Sequence, residues 1–207
     1  GTLRRTGFRG DLVLGTQLEG KMTRATKEYL QRIGAICYPL DPICNTSGLS
    51  IKHRICHWHR ERRPLPLAII RHELYLSFAQ HYGASSLLFV ADYRDLFFQA
   101  DPFANAIDTL QLFAEHYPFK RVGNCPFNSG WVRKCWGLNV LKQVREQAVL
   151  CSGSYLGPKA AVVQLEEALL REVEASECHA RGVPSDQGYL NYLFYMGKLP
   201  GAIVQER

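Results

Sequence analysis

Apolar positions along the chain switch repeatedly between two spacings. In "SSLLFVA" the residues Leu87 to Ala91 are apolar without alternation, which predicts a strand covered on both faces. Before it, Pro66 suits the first turn of a helix. Leu67, Ile70, Leu74 and Phe78 then recur at helical spacing until Gly83 stops the run. The same alternation begins earlier. "GDLVLGT" (Gly10–Thr16) predicts a strand, and "TRATKEYLQRIGA" predicts a helix capped by Thr23 with Tyr29, Leu30 and Ile33 on one side. "AICYPL" predicts a short strand.

It continues to the end. "TLQLFAE" reads as a strand and "GLNVLKQVREQ" as a helix. "AVLCSGSYLG" reads as a strand running into a glycine-bounded loop. Pro158 opens a helix with Val162, Leu165, Leu169 and Val173 on one face. "PSDQGYLNYLFYMG" forms a last short helix capped by Ser185 and closed by Gly197. Strand–helix units repeated in this way predict an α/β fold with a mainly parallel central sheet sandwiched by helices. The 207 residues suit a single domain over 1–207, with an irregular basic loop over 41–65.

Composition narrows the partners. The chain is 46% hydrophobic and 21% charged, as soluble globular domains are, and its net charge of +6 favours anionic ligands. No run is long enough for a transmembrane helix and no signal peptide is visible. The opening residues already read as folded-domain sequence without an initiator Met, so an excised or truncated domain is expected. Seven cysteines are too few for a disulfide scaffold. Cys37 and Cys151 sit in strand-like runs and are expected as buried thiols. Cys44 with Cys56, or Cys125 with Cys135, are the pairings open in an oxidising compartment.

Three stretches carry candidate chemistry. In "LLFVADYRDLFFQADPF" the acids Asp92 and Asp95 stand where a buried strand ends. In α/β sheets that is where ligands bind, and two carboxylates so placed suit a divalent cation with phosphate oxygens. The plainer alternative has Asp92 capping the next turn and Asp95 paired with Arg94. In "CSGSYLGP" small residues let the backbone approach a ligand, or simply make a strand-to-helix turn. In "PSDQGYLNYL" Asp186 and Gln187 offer a carboxylate and an amide to a polyhydroxyl ligand, or merely favour the helix N-terminus.

The loop from Lys52 to Arg63 holds five Lys or Arg against one Glu, with three His and a Trp. A solvated basic loop is its simplest reading. Zinc on Cys44, Cys56, His57 and His59 fits no common spacing. Neither a phosphate loop, nor a dinucleotide fingerprint, nor a nucleophile elbow occurs, and Cys151 as a nucleophile has no positioned base.

Taken in order, Asp92-Tyr93-Arg94-Asp95, Phe98-Gln99, Asp101-Pro102-Phe103, Asn128 to Trp131, Cys151-Ser152-Gly153, Asp186-Gln187-Gly188 and Asn191-Tyr192-Leu193 resemble a GT-A-type nucleotide-sugar glycosyltransferase. In particular they resemble proteins with D-x-R-D-x-x-F-Q-x-D-P-F, N-S-G-W, C-S-G-x-x-x-G and D-Q-G-x-x-N-Y-L motifs. The resemblance covers most of the chain from Gly10 onward. It implies a GT-A-like (Rossmann-like) sheet and transfer of a sugar from a nucleoside diphosphate sugar to a glycan, protein or lipid acceptor, with Mn²⁺ or Mg²⁺ as cofactor. By the same resemblance Asp95 holds the metal. Asp92 binds metal, ribose or Arg94. Gly15, Thr16, Asp92, Arg94, Ser152 and Gly153 bind the donor. Asp186 and Gln187 are the catalytic pair, with Asp186 a general base if the reaction inverts and an orienting group if it retains.

This sequence departs from the family's D-x-D motif by spacing its acids three apart, and no His follows His179. A catalytically degenerate relative that binds sugar or protein is the alternative. A nucleic-acid module built on the basic loop finds no aromatic strand motif, so no nucleic-acid partner is expected. The resemblance implies the Golgi lumen for a eukaryotic chain, with the membrane reached only through an anchor outside this sequence, and the cytoplasm for a bacterial one.

Overall fold

The computed structural model describes residues 2–16, 19–39, 43–44, 55–57, 65–92, 96–116, 118–176 and 178–205. A short helix, α1 (Thr2–Arg5), precedes strand β1 (Leu12–Thr16), helix α2 (Arg24–Arg32) and strand β2 (Ala35–Pro39). β1 and β2 pair in parallel, Leu12 opposite Ala35 and Thr16 opposite Pro39. Thr23 caps α2 as its sequence predicts, its side chain accepting from the Thr26 N–H, and Leu30 is buried. Arg4 closes this unit by donating to the Ile33, Gly34 and Gly10 carbonyls.

Strands β3 (Ile43–Cys44), β4 (Ile55–His57) and β5 (Leu65–Pro66) form a small antiparallel sheet in which Cys44 faces Cys56. Helix α3 (Leu67–Gln80) follows, then β6 (Leu87–Ala91), β7 (Gln111–Ala114), α4 (Pro126–Val144), β8 (Leu150–Pro158), α5 (Lys159–Ser176), α6 (Asp186–Tyr195) and β9 (Ile203–Gln205). The main sheet has the order β6-β8-β7-β9. No helix among the described residues is long and apolar enough to cross a membrane.

The α/β class expected from the sequence is present, but this sheet is mixed rather than mainly parallel. β8 runs antiparallel to both β6 and β7, and only β9 lies parallel to its neighbour. The reason is physical. An unbroken apolar run carries no signal of strand direction. Nor is Leu87–Ala91 covered on both faces as expected: β6 is an edge strand, Leu87 is exposed and the other four are half-buried. The cover falls on β8, where Ser152, Gly153, Tyr155, Leu156 and Gly157 are all buried.

Helices α5 and α6 pack on β8, α3 packs on α5, and α4 packs on α6. Val162, Leu165, Leu169 and Val173 of α5 are each 1% exposed, so the predicted face is the core face. They join Leu112, Leu150 and Tyr155 from the sheet, Ile69 from α3, and Tyr189, Leu190 and Leu193 from α6. Burying each such side chain stabilises the fold by about 1.5–3 kcal/mol.

Four further expectations change. The helix expected over Gly137–Gln147 begins at Pro126, with Gly137 at φ 86° breaking its regular path. Pro126 at the first turn and the apolar positions after it carry that earlier start. The "CSG" segment lies within strand β8, not in a loop. Finally, Cys135 is bonded to Cys178 rather than to Cys125, while Cys125 is a buried free thiol. Cys37 and Cys151 are free but only half-buried.

Candidate functional site

The site assembles around one side chain. Arg71 lies in the first turns of α3, within the apolar run "LAIIRHELYL". Its Nε donates to Asp186 Oδ2 at 2.9 Å and its Nη2 to the same oxygen at 2.5 Å. Nη1 donates to Asp92 Oδ1, and Nη2 also reaches the Ser152 carbonyl at 3.4 Å. A single planar guanidinium therefore joins α3, the residue after β6, strand β8 and the start of α6.

Each partner is delivered by local structure. Asp92 follows the last residue of β6, and its N–H donates to the Gly153 carbonyl at 2.7 Å, continuing the ladder by one bond. Gly153 is needed there. A Cβ at that position would lie 2.6 Å from Asp92 Oδ2. Asp186 opens α6 behind its cap, Ser185, whose hydroxyl accepts from the Gln187 N–H. Ser152 Oγ donates to Asp186 Oδ1 at 3.0 Å. Asn191, wholly buried, accepts from the Leu150 N–H and donates to the Leu150 carbonyl, pinning α6 against β8. Gly188 lets α6 approach α4, since a Cβ there would stand 3.2 Å from Trp131 Cβ.

Behind Arg71 the network goes deeper. His72 is 1% exposed, and its two ring nitrogens face Asp186 Oδ2 at 3.2 Å and Glu166 Oε2 at 2.5 Å. Glu166, 0% exposed, also accepts from the Tyr155 hydroxyl. Both neighbours of the ring are carboxylates, so both ring nitrogens donate, and the ring is an imidazolium. Burial opposes that charge, but Glu166 and Asp186 outweigh it and push His72 up to about 9. Asp186 moves the other way. Burial opposes its ionisation, yet Arg71 and His72 hold it far below the usual carboxylate range. Burial raises Tyr155 well above its ordinary value and Tyr75 to about 12, so both phenols stay protonated.

The cluster thus contains two cations, Arg71 and His72, and three carboxylates, Asp92, Asp186 and Glu166. A buried charge alone is costly, and here each has an opposite partner in contact. Asp92 and Arg71 are the members that reach solvent, with side chains 31% and 19% exposed.

No protein-family model matches this chain, and no curated protein matches it.

Of the residues singled out from the sequence, Asp92, Ser152, Gly153 and Asp186 converge, although they are separated by as many as 94 positions. Gln187 lies half-buried one residue beyond Asp186. Arg94 and Asp95 lie outside the described residues, as does most of the basic loop. Gly15 and Thr16 end β1, where Thr16 Oγ1 donates to the Tyr38 carbonyl at 3.4 Å. Among the described residues no hydrogen bond or ion pair joins them to the Arg71 cluster. Burial raises the Cys151 thiol pKa, and a protonated thiol is a poor attacking group.

Arg71, His72, Glu166 and Tyr155 were not singled out from the sequence. A signal for the first three existed. Arg71-His72 interrupts an apolar helix, and Glu166 sits four residues after Val162, on the predicted core face of α5. Charged residues at core positions mark paired charge or a site.

Fit to a divalent cation is limited among the described residues, where no group of three His, Cys, Asp or Glu side chains could hold one. His72, Glu166 and Asp186 bond one another in a line. Asp92 and Asp186 share the Arg71 guanidinium, which competes directly with a metal for the same oxygens.

Proposed function

We propose that the chain is a glycosyltransferase, moving a sugar from a nucleoside diphosphate sugar to an acceptor hydroxyl on a GT-A-like fold. The observation that carries the reading is convergence. Asp92, Ser152-Gly153 and Asp186 come from three motifs remote in sequence, and Arg71 ties them into one cluster at the end of a sheet strand. Ligands of α/β proteins bind beyond such strand ends.

The chemistry is coherent with that geometry. The leaving nucleoside diphosphate gathers negative charge as the glycosidic bond breaks, and preorganised donors at that point lower the barrier. Arg71 is partly exposed, and among the described residues one of its Nη1 hydrogens has no partner, so it supplies such a donor; Arg94 of the same motif would add a second. Asp186 already accepts from Arg71, Ser152 and His72, and little basicity remains to it. Its part is to fix Ser152 and Arg71 rather than to take the acceptor proton, and Gln187, half-buried beside it, is the group that meets a sugar hydroxyl. A bound Mn²⁺ or Mg²⁺ would neutralise diphosphate charge, with Asp95 and Asp92 as its holders.

The second reading is a sugar- or protein-binding module that does not turn over. One observation favours it: Asp92 and Asp186 are both satisfied inside the protein by Arg71. Incubation with a panel of sugar nucleotides and Mn²⁺, scored by nucleoside diphosphate release, separates the two. Release by the wild type, reduced in Asp95→Ala and Asp92→Asn, is the expected result. Binding of a sugar nucleotide with no release from any donor selects the module.

A further inference from the structure

We propose that Arg71 and His72 are the positioning residues of this site: His72, donating from both ring nitrogens, and Arg71 together lock Asp186 as an acceptor. Nothing in the motifs assigns either residue a role. The inference rests on the glycosyltransferase reading only for its kinetic consequence, because the geometry stands without it.

Three observations lead there. First, Arg71 and His72 are adjacent on α3 yet reach Asp186 from two directions, Arg71 through Nε and Nη2 and His72 through Nε2. Together they occupy Oδ2 fully. Ser152 then fixes Oδ1, so the carboxylate has one orientation. Second, His72 is itself fixed from behind. Glu166 on α5 takes its Nδ1 hydrogen, and Tyr155 on β8 holds Glu166. The ring also meets Tyr75 edge-on at 5.6 Å between centroids. Third, Arg71 carries the same rigidity outward to Asp92, the residue that begins the D-Y-R-D turn.

The groups facing His72 are therefore Glu166 from α5, Asp186 from α6, Tyr155 from β8 through Glu166, Arg71 and Tyr75 from α3, and Asp92 beyond Arg71. Two carboxylates in contact outweigh one guanidinium that is itself neutralised by Asp92 and Asp186. The ring keeps its second proton through neutral pH and releases it to solvent only in alkali. Without that proton, one of its two carboxylate contacts loses its donor, and the hold on Asp186 from Arg71 and Ser152 is no longer backed by a fully donating ring.

Protein labelled with ¹⁵N-histidine tests this directly. Long-range ¹H–¹⁵N spectra, with His72 assigned by its loss in His72→Gln, should show both ring nitrogens protonated from pH 6 to 8 and titrating near 9. In Glu166→Gln, which keeps the shape, the same ring should titrate at clearly lower pH. A His72 ring that titrates near its ordinary 6.5 in the wild type overturns the proposal.

The kinetic arm follows nucleoside diphosphate release. Arg71→Lys keeps the charge but loses the planar fork, and turnover should fall about a hundredfold in protein that still unfolds in one cooperative transition. The wild type should lose kcat/KM above about pH 9, and that alkaline limb should be missing in His72→Gln. Full turnover in Arg71→Lys overturns the role of Arg71. A wild type that releases nothing from any sugar nucleotide defeats the glycosyltransferase reading alone, and the histidine titration then decides this one.

Discussion

Helix α3 serves two neighbourhoods of opposite character. Its first turns send Arg71, His72 and Tyr75 into the charged cluster beneath Asp92 and Asp186. Its far end meets the β1–β2 unit. Phe78 lies 4.7 Å from Tyr38 between ring centroids, His81 lies 5.9 Å from the same ring, and Tyr82 donates to Asp11. One end is mostly buried and held by full charges. The other is half-wet, and among the described residues ring contacts and the Tyr82–Asp11 hydrogen bond hold it to the β1–β2 unit. The same helix thus shows how location sets worth: a bond in water replaces another bond with water, while a bond among buried charges has no substitute.

The contrast predicts its own largest effect. Asp186→Ala leaves Arg71 and His72 facing each other without their shared acceptor. Unfolding by guanidinium at pH 7 should show a loss of about 3–5 kcal/mol, the usual result of removing one partner from a buried ionic cluster. A loss within about 1 kcal/mol, as for an exposed pair, would break the distinction between the two ends.

The dependence on pH comes next, and its direction follows from the shifts. His72 has a folded value above its ordinary 6.5, so its contribution is whole below 6.5 and disappears as pH climbs through about 9. That rise corresponds to about 3 kcal/mol. Asp186 has a depressed value, so its contribution is whole above the ordinary carboxylate value of 3.8 and is lost as pH falls below it. Stability should therefore be highest between about pH 4 and 6.5 as far as these two groups go, and should decline toward pH 9. Chemical unfolding at half-unit steps from pH 5 to 9.5 measures the decline, and an unchanged midpoint across that span contradicts a charged His72.

Gly153→Ala probes the outer edge of the same cluster. The added methyl would sit 2.6 Å from Asp92 Oδ2 and 3.0 Å from its Cγ. Asp92 cannot simply swing aside, because Arg71 holds its other oxygen and its own N–H is bonded to the Gly153 carbonyl. Overpacking of this kind costs about 1–3 kcal/mol, and a thermal melt should show it. A melt equal to wild type would mean that Asp92 is free to move.

How much of this could be read from the sequence differs between the two ends of α3. The elements themselves were legible, because periodicity and caps act over a few residues: Thr23, Ser185 and the Val162–Val173 face all do what their spacing says. The convergence of Asp92, Ser152 and Asp186 was legible only as an order of motifs. The hub that joins them was not, since Arg71 meets Asp186 across 115 positions and no local pattern encodes that contact. Strand direction was lost for a related reason: β8 looks the same from its sequence whether its neighbours run with it or against it. The pairing of Cys135 with Cys178 also depends on how α4 meets the turn before α6, a tertiary fact that no cysteine spacing contains.

The smallest effect belongs to the far end of the helix. Tyr82→Phe removes a hydroxyl whose bond to Asp11 Oδ2 is 3.0 Å long and open to water. Its loss should cost about 0.5 kcal/mol, the low end for a hydrogen bond, because both groups find water in its place. More telling is the double variant with Arg71→Lys. Arg71 lies in the first turns of α3 and Tyr82 two residues beyond its end, eleven positions apart in the chain. Among the described residues they share no hydrogen-bond partner, one end answering to Asp92 and Asp186 and the other to Asp11. The two losses should add to within about 0.5 kcal/mol in guanidinium unfolding. A larger coupling would mean that α3 transmits strain from the β1–β2 unit into the charged cluster, and Gly15 and Thr16 would then influence Asp186 through the helix rather than by touching it.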